Sequence, residues 1–562
     1  MREAWSELWE MPEVPWSFTS LAFWGFLFVL LVVQSALERR PLLRNLFLFA
    51  VSLWFYRQTS GWFVTLLVAM TYLGHVLGKG IDGAEGWKRQ VWLGVSVGVS
   101  LVFLLFFKYA YFFADSLHAL TGLSLQPRNP FAIAANQLAG GRFDIDKIGL
   151  PIGISFYTFQ TISYAVDVYR KEVEPVRRWV DFGFYVSFFP QLVAGPIVRA
   201  KDFIPQLHRP SVVSRLTFGM ALFWIVNGLL KKVWLGDGLA LMLVDRVFAN
   251  PGSHTSVENL WALYGYSLQV YADFSGYTDI AMGIALMFGF RLPANFNSPY
   301  KARHLGDFWR RWHMSLSGWL RDYLYIPMGG NRSGSVFTFV ALAFVIGFLI
   351  LLWPEPGLWL ILAGVGFLWA AAGVQIQSFG RQTVTTINLM LTMLIGGLWH
   401  GASWNFVLWG GLNGAGLVVS KQWRRFNPFK GKAPWLGILL TFHFVTFTRI
   451  WFRSSSATQW EELGQSHNLL SEWFTANEML DALGRRVEWG LLPNLVQAYA
   501  PALALMGLGY LIHMLPSRLK RRYRIAFARS PHWVQWLVCL LAGGVIWERM
   551  ASGAAPFIYF QF

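Results

Sequence analysis

Long apolar runs separated by short polar breaks set the pattern of this chain. Runs that reach or approach the roughly 20 residues needed to cross a bilayer fall at 17–37, 42–56, 61–78, 91–113, 149–168, 216–234, 259–272, 276–291, 335–352, 357–375, 383–398, 403–420, 434–452, 497–515 and 532–549. They predict an all-α, polytopic membrane protein, with residues 1–562 forming one integral membrane domain. Asp273, Ser275 and Asp279 interrupt the stretch 259–291, which predicts two broken helices there. Pro190 and Pro196 flank Gly195 between basic segments, which predicts a re-entrant hairpin over 180–196. Broken backbone at membrane depth persists only where protein buries it or it lines a cavity, so this segment points to a chamber within the bilayer.

The segment 295–332 has a different pattern. At about 100° per residue, Leu305, Trp309, Trp312, Leu316, Leu320 and Leu324 share one face of a helix. Asp307, Arg310, Arg311 and Arg321 share the other, and Gly329-Gly330 closes the run. The expectation is one basic amphipathic helix at the cytoplasmic interface or leaning into the bundle. His313 falls among the leucines and tryptophans, away from the arginines.

Charge in the breaks orients the chain. The first loop (Glu38, Arg39, Arg40, Arg44), residues 170–178, residues 421–432 and residues 518–529 are net basic and are expected on the cytoplasmic side. The stretch 453–496 is net acidic and is expected outside, as are the N-terminus, with Glu3, Glu7, Glu10 and Glu13, and the C-terminus. Those early acids also argue against a cleavable signal segment. Composition agrees with the spans: hydrophobic residues reach 55% and charged residues only 14%, against about a quarter charged in a soluble protein. The net charge of +17 then reads as positive loops next to a membrane, with no nucleic acid as partner. With Cys539 as its single cysteine, the chain has no intrachain disulfide, Cys-based zinc site or Cys-ligated iron–sulfur cluster.

Candidate chemistry centres on histidine. His400 stands between two apolar runs in GGLWHGASWNFVLWGGLNG, beside Trp399, with Gly396, Gly397 and Gly401 permitting a helix break. Ionisable groups at this depth are costly and face a bundle interior or an aqueous cavity. The competing reading is a neutral imidazole hydrogen-bonded between helices, and it is the expectation for His75, His443 and His513. His118, His208, His254, His304, His467 and His532 read as loop or interface residues. An imidazole with an ordinary pKa of about 6.5 is neutral enough near pH 7 to accept a hydroxyl proton, which suits acyl transfer from a thioester to an alcohol. The chain has no Walker-type P-loop, and its GxSxG string, Gly94 to Gly98, lies inside the apolar run 91–113, where a strand-to-helix nucleophile elbow is not expected.

The strings LPIGISFYTFQTISYAVDVYR (150–170), FFPQLVAGPIVR (188–199), YADFSGYTDIAMGIALMFGFRLPANFNSPY (271–300), FWRRWHMSLSGWLRDYLYIPMGGNR (308–332) and GGLWHGASWNFVLWGGLNG (396–414) occur in this order. Together they resemble the membrane-bound O-acyltransferase family, in the branch that acetylates bacterial polysaccharides such as alginate. The resemblance covers about 150–420, and the apolar pair over 335–375 stands where one short link is expected.

The resemblance implies a ring of transmembrane and re-entrant helices around a central tunnel in a bacterial inner membrane. It implies acetyl-CoA as a donor arriving from the cytoplasm, no tightly bound cofactor and no metal. The implied acceptor is a hydroxyl of an extracytoplasmic polysaccharide, reached directly or through an esterase-like periplasmic or extracellular partner. The net acidic charge of the 453–496 loop makes it a candidate docking surface for that partner. His400 matches the family's catalytic histidine and His313 the second histidine of this branch. Asn295, Asp273, Trp399, Arg310 and Arg311 are the implied substrate-binding residues, the arginines as partners for CoA phosphates. Alternatives are the same fold acting in peptidoglycan, cellulose or teichoic-acid acylation, or a polysaccharide transporter or flippase in which the histidines couple protons.

Overall fold

The structure, a computed structural model, describes residues 18, 20–139, 144–192, 195–332, 334, 335, 338, 377–426, 433–454 and 469–550. The described residues are helical with connecting turns, and two compact units are distinguished, described in turn. Helices stand where the apolar runs predict them: Leu21–Leu37, Pro41–Ser60, Phe63–Asp82, Gly86–Thr121, Ile154–Tyr169, Gln377–His400, Trp404–Phe426, Pro434–Ser454, Ala500–Met514 and His532–Met550 among them. Among the described residues four helices are long and apolar enough to cross a membrane: Phe63–Asp82, Gly86–His118, Arg215–Ala249 and Pro434–Ser454. A bent pair, Trp489–Ala498 and Ala500–Met514, turns by 79° at its break. The paired expectation at 335–375, apart from Ser335 and Thr338, lies outside the described residues, as do most of the acidic N-terminus and residues 455–468 of the acidic loop.

The first unit contains Met1–Phe107, Gly149–Asn297 and Arg485–Gln561. Its helix starts are written locally. Ser20 accepts from the Phe23 N–H, Ser214 accepts from the Thr217 N–H, and Thr255 with Glu258 forms a capping box. Trp179–Ser187 and Phe189–Leu192, nine and four residues long, are too short to cross a bilayer and are buried along most of their length, in keeping with the expected non-spanning segment over 180–196. The two broken helices expected over 259–291 are instead one continuous helix, Ser256–Met287, of 32 residues.

The reason lies in the neighbouring segment, which runs from Arg215–Leu229 into a π-helical stretch, Leu230–Asp237. Lys232 Nζ sits 2.7 Å from Asp273 Oδ1 and 2.6 Å from Asp237 Oδ1. Lys231 Nζ and Asn227 Nδ2 donate to Asp279 Oδ2 at 2.6 and 2.7 Å. The carboxylates that look like helix breakers are neutralised side-on, so the backbone ladder continues past them. Glycine makes this approach possible: a Cβ on Gly276 would stand 2.7 Å from the Gly228 carbonyl oxygen and 3.0 Å from the Lys232 nitrogen.

The second unit contains Lys108–Ile148 and Ser298–Gly484. Gln377–His400 packs antiparallel to Trp404–Phe426 across a break at residues 401–403. A Cβ on Gly397 would run into the Phe406 carbonyl, and one on Gly410 into the Met393 carbonyl. The single amphipathic helix expected over 295–332 is broken into Leu305–Trp309, a turn, Met314–Trp319 and a π-helical stretch, Leu320–Tyr325. His313 closes the turn with φ 43°, a left-handed conformation uncommon for a residue with a Cβ. The apolar face survives the break, because Leu305, Trp312, Leu316, Leu320 and Leu324 are all buried.

Candidate active site

His400 is the last residue of Gln377–His400, and the break that follows lets the next helix fold back beside it. Its imidazole is only 3% exposed and is walled by aromatic rings. Trp409 and Phe452 present their edges or faces at centroid distances of 5.2 and 5.3 Å, and Trp399 lies at 5.1 Å. His400 also lines a cavity of about 240 Å³, with Trp309, Leu316, Leu320, Thr392, Met393 and Trp409 among its other walls. Ser317, Arg321 and Tyr325 add polar groups to the lining. A mostly apolar chamber with a few convergent polar atoms is the general form of a small-molecule site.

His313 reaches this neighbourhood from the turn between Leu305–Trp309 and Met314–Trp319. It is fully buried, with its ring 5.9 Å from that of Trp399 and its Nδ1 3.5 Å from Ser315 Oγ. Trp399 is therefore a shared neighbour of both imidazoles. A left-handed histidine in a short turn costs of order 1–3 kcal/mol, and backbone strain of this kind concentrates at functional sites. The structure thus brings His313, Trp399 and His400 together, three residues the sequence singles out.

The other expected substrate contacts are placed differently. Arg310 is exposed, with Nη2 3.7 Å from Asp307 Oδ1, while Arg311 Nε lies 3.1 Å from the same oxygen. Burial pushes the Asp307 carboxyl up, but the Arg311 and Arg303 donors outweigh it and hold it below the usual carboxylate range. Both arginines tie down the first turn, and neither lines the cavity. His304, expected in a loop, caps the same turn by accepting from the Asp307 N–H at 3.1 Å. Asp273 and Asn295 belong to the first unit, where Asp273 is ion-paired with Lys232 and Asn295 is buried.

Three residues absent from the sequence-level list stand close to the imidazoles. Arg449 is 1% exposed, with its guanidinium carbon 4.4 Å from the Trp312 ring centroid and 5.1 Å from that of Phe452. Lys108 Nζ donates to the backbone carbonyls of Trp399 and His400 at 2.7 and 3.2 Å, and the Tyr109 hydroxyl donates to that of Leu398 at 2.7 Å. Arg449 and Lys108 are cations within apolar runs, and that signal marks a functional candidate by default.

Comparison with known proteins bears on the whole chain. The family model described as "MBOAT, membrane-bound O-acyltransferase family" matches residues 50–353, which include His313 but end before His400. A Pseudomonas putida protein named "Probable alginate O-acetylase AlgI" is 34% identical over 538 residues, covering 92% of this chain and 94% of that protein. The Helicobacter pylori "Peptidoglycan O-acetyltransferase" is 29% identical, covering 99% of this chain and 97% of its own length. The Bacillus subtilis "Teichoic acid D-alanyltransferase" is 28% identical over 53% of this chain and 67% of its own length. With a family match across more than half of its residues and a relative of this identity along nearly its full length, the chain belongs to the membrane-bound O-acyltransferase family and is an acyltransferase.

Proposed function

We propose that this multi-pass protein of a bacterial inner membrane transfers acetyl groups from cytoplasmic acetyl-CoA to hydroxyls of an extracytoplasmic polysaccharide of the alginate type. His400 is the general base and His313 orients or polarises the thioester or the acceptor. His400 takes the acceptor hydroxyl proton as its oxygen attacks the thioester carbonyl. The carbon–sulfur bond then breaks, and the departing CoA sulfur leaves as the thiol with a proton returned by the imidazolium. The acetyl group reaches the polymer directly, or through a partner of esterase-like fold that docks on the acidic outer loop.

The observation that carries this reading is the His400 imidazole on the wall of a mostly apolar cavity, with His313 sharing its Trp399 neighbour. Likeness to alginate O-acetylases along most of the chain supports an acetyl group as cargo and a polysaccharide as acceptor. A peptidoglycan acceptor is the second reading, favoured by the 99% coverage of this chain in the Helicobacter pylori alignment. The test uses the full chain in proteoliposomes with labelled acetyl-CoA. Thiol release that requires a hydroxyl acceptor, lost in His400→Ala, is the expected result. Wild-type turnover in His400→Ala overturns the base assignment, and polymer movement without thioester loss overturns the reaction.

A further inference from the structure

A helix leaves its last four carbonyls without intrahelical partners, and here those carbonyls belong to the segment that ends on His400. One face of the Gly86–Thr121 helix supplies donors to three of them. Tyr109 Oη donates to Leu398 O at 2.7 Å, and Lys108 Nζ donates to Trp399 O at 2.7 Å and to His400 O at 3.2 Å. One turn further along the same helix, the Phe112 ring packs 5.3 Å from that of Trp404, the first residue beyond the break. Positions 108, 109 and 112 follow the i, i+1, i+4 spacing that places side chains on adjacent rows of one face. The helix thus grips the break at residues 401–403 on both of its sides.

The geometry points to Lys108 as a positioning residue for the His400 imidazole, with Tyr109 and Phe112 completing a clamp on the break that carries it. This rests on the reading of His400 as the base. A buried hydroxyl or amide donor would satisfy the same carbonyls without the cost of an ammonium in an apolar helix. What the ammonium adds is reach and a second bond: one atom fixes two successive carbonyls, including that of His400, and its charge complements the negative end of the helix. It lies about as far from the Trp399 ring, 5.9 Å, as His313 does on its own approach to that ring, 5.9 Å. The clamp therefore holds the backbone under Trp399, whose ring neighbours His313, and under His400, which lines the cavity. A small misplacement of a reacting group can cost about 10²-fold in rate, so an imidazole at a helix end next to a glycine needs such a hold.

The experiment compares kcat and KM in full-chain proteoliposomes, with acetyl-CoA as donor and alginate oligosaccharide as acceptor. Lys108→Met should lower kcat by about 10- to 100-fold while the donor KM stays within about twofold, the signature of lost placement with binding intact. Tyr109→Phe should lower it by only about two- to fivefold, since one neutral donor to one carbonyl is lost. Lys108→Arg, which keeps a cation with several donors, should recover most of the loss. A Lys108→Met kcat equal to wild type overturns the proposal. So does a loss that Lys108→Arg fails to recover and that follows a fall in melting temperature, because that pattern belongs to a merely structural lysine. His400→Ala, run in parallel, separates the two ideas: activity there removes the base assignment, whereas an inactive His400→Ala beside a fully active Lys108→Met removes the clamp alone.

Discussion

Two sets of buried charge, one in each unit, are held in contrasting ways. In the first, Lys232 bonds to Asp237 and Asp273, and Lys231 with Asn227 occupies Asp279, so cation and carboxylate meet side chain to side chain. In the second, Lys108 spends its bonds on main-chain carbonyls and Arg449 lies over the rings of Trp312 and Phe452. The first arrangement consumes its charges and locks two helices together. The second sits beside an imidazole that lines a cavity and is surrounded by aromatic rings. Depth of buried charge by itself thus does not single out the candidate site, since Lys232 is as well buried as Arg449.

The contrast breaks most visibly at His400. His400→Gln keeps an amide of similar bulk but no proton acceptor of comparable basicity. Acetyl transfer should fall by about 10²- to 10⁴-fold, the usual share of a general base. The melting temperature of the purified protein should move little. If the same substitution unfolded the protein, His400 would belong with the structural polar groups of the first unit.

Lys232→Met should do the reverse. Removing one partner strands two carboxylates in an apolar interior, at a cost of about 3–5 kcal/mol. The expected outcome is poor yield and early unfolding on heating in detergent. Adding Asp237→Asn and Asp273→Asn to Lys232→Met should return much of that stability, because no buried charge then lacks an opposite. A Lys232→Met protein with wild-type melting and lost turnover would move this trio from scaffold to mechanism.

Gly410→Leu tests the packing on which the site stands. Its side chain would drive into the Met393 carbonyl and force the Gln377–His400 and Trp404–Phe426 helices apart. Overpacking of this kind costs about 1–3 kcal/mol. Because Met393 and Trp409 also line the cavity, donor KM should rise along with the loss of stability.

How much of this was legible in the chain follows the same division. Apolar run length placed nearly every long helix, since crossing a bilayer demands a continuous stretch and little else. It failed at Ser256–Met287 because the partners of Asp273 and Asp279 come from residues 227–237, a pairing that no local pattern records. It failed again at His313, where a left-handed turn divides what periodicity reads as one helix. Burial of the same leucines is satisfied by either backbone, so the pattern does not distinguish them. An apolar setting marks His313 and His400, but it marks His75, His443 and His513 as well, and it is the resemblance of the strings 308–332 and 396–414 that sets the first two apart. Lys108 and Arg449 carried the same signal, a cation inside a run of hydrophobic residues, and were passed over because each run satisfied the length test.

The smallest expected effects concern the arginines beside His313, and they sharpen the distinction between a charged surface and a site. Arg310 is exposed and 3.7 Å from Asp307, so Arg310→Gln should change stability by no more than about 0.5 kcal/mol. Arg311 makes the shorter, less exposed contact of 3.1 Å, and Arg311→Gln should cost up to about 1 kcal/mol. The sign of its pH dependence follows from Asp307, whose carboxyl is held below its usual range. Its contribution is present above the ordinary aspartate value of about 3.9 and is lost as pH falls through the depressed one. Melting curves at neutral and acid pH should therefore separate wild type from Arg311→Gln at neutral pH and converge at the acid end. If Arg310→Gln instead raised the donor KM while melting normally, the exposed arginine would be reading CoA phosphates, and the boundary of the site would have to be drawn outward from the cavity to the rim.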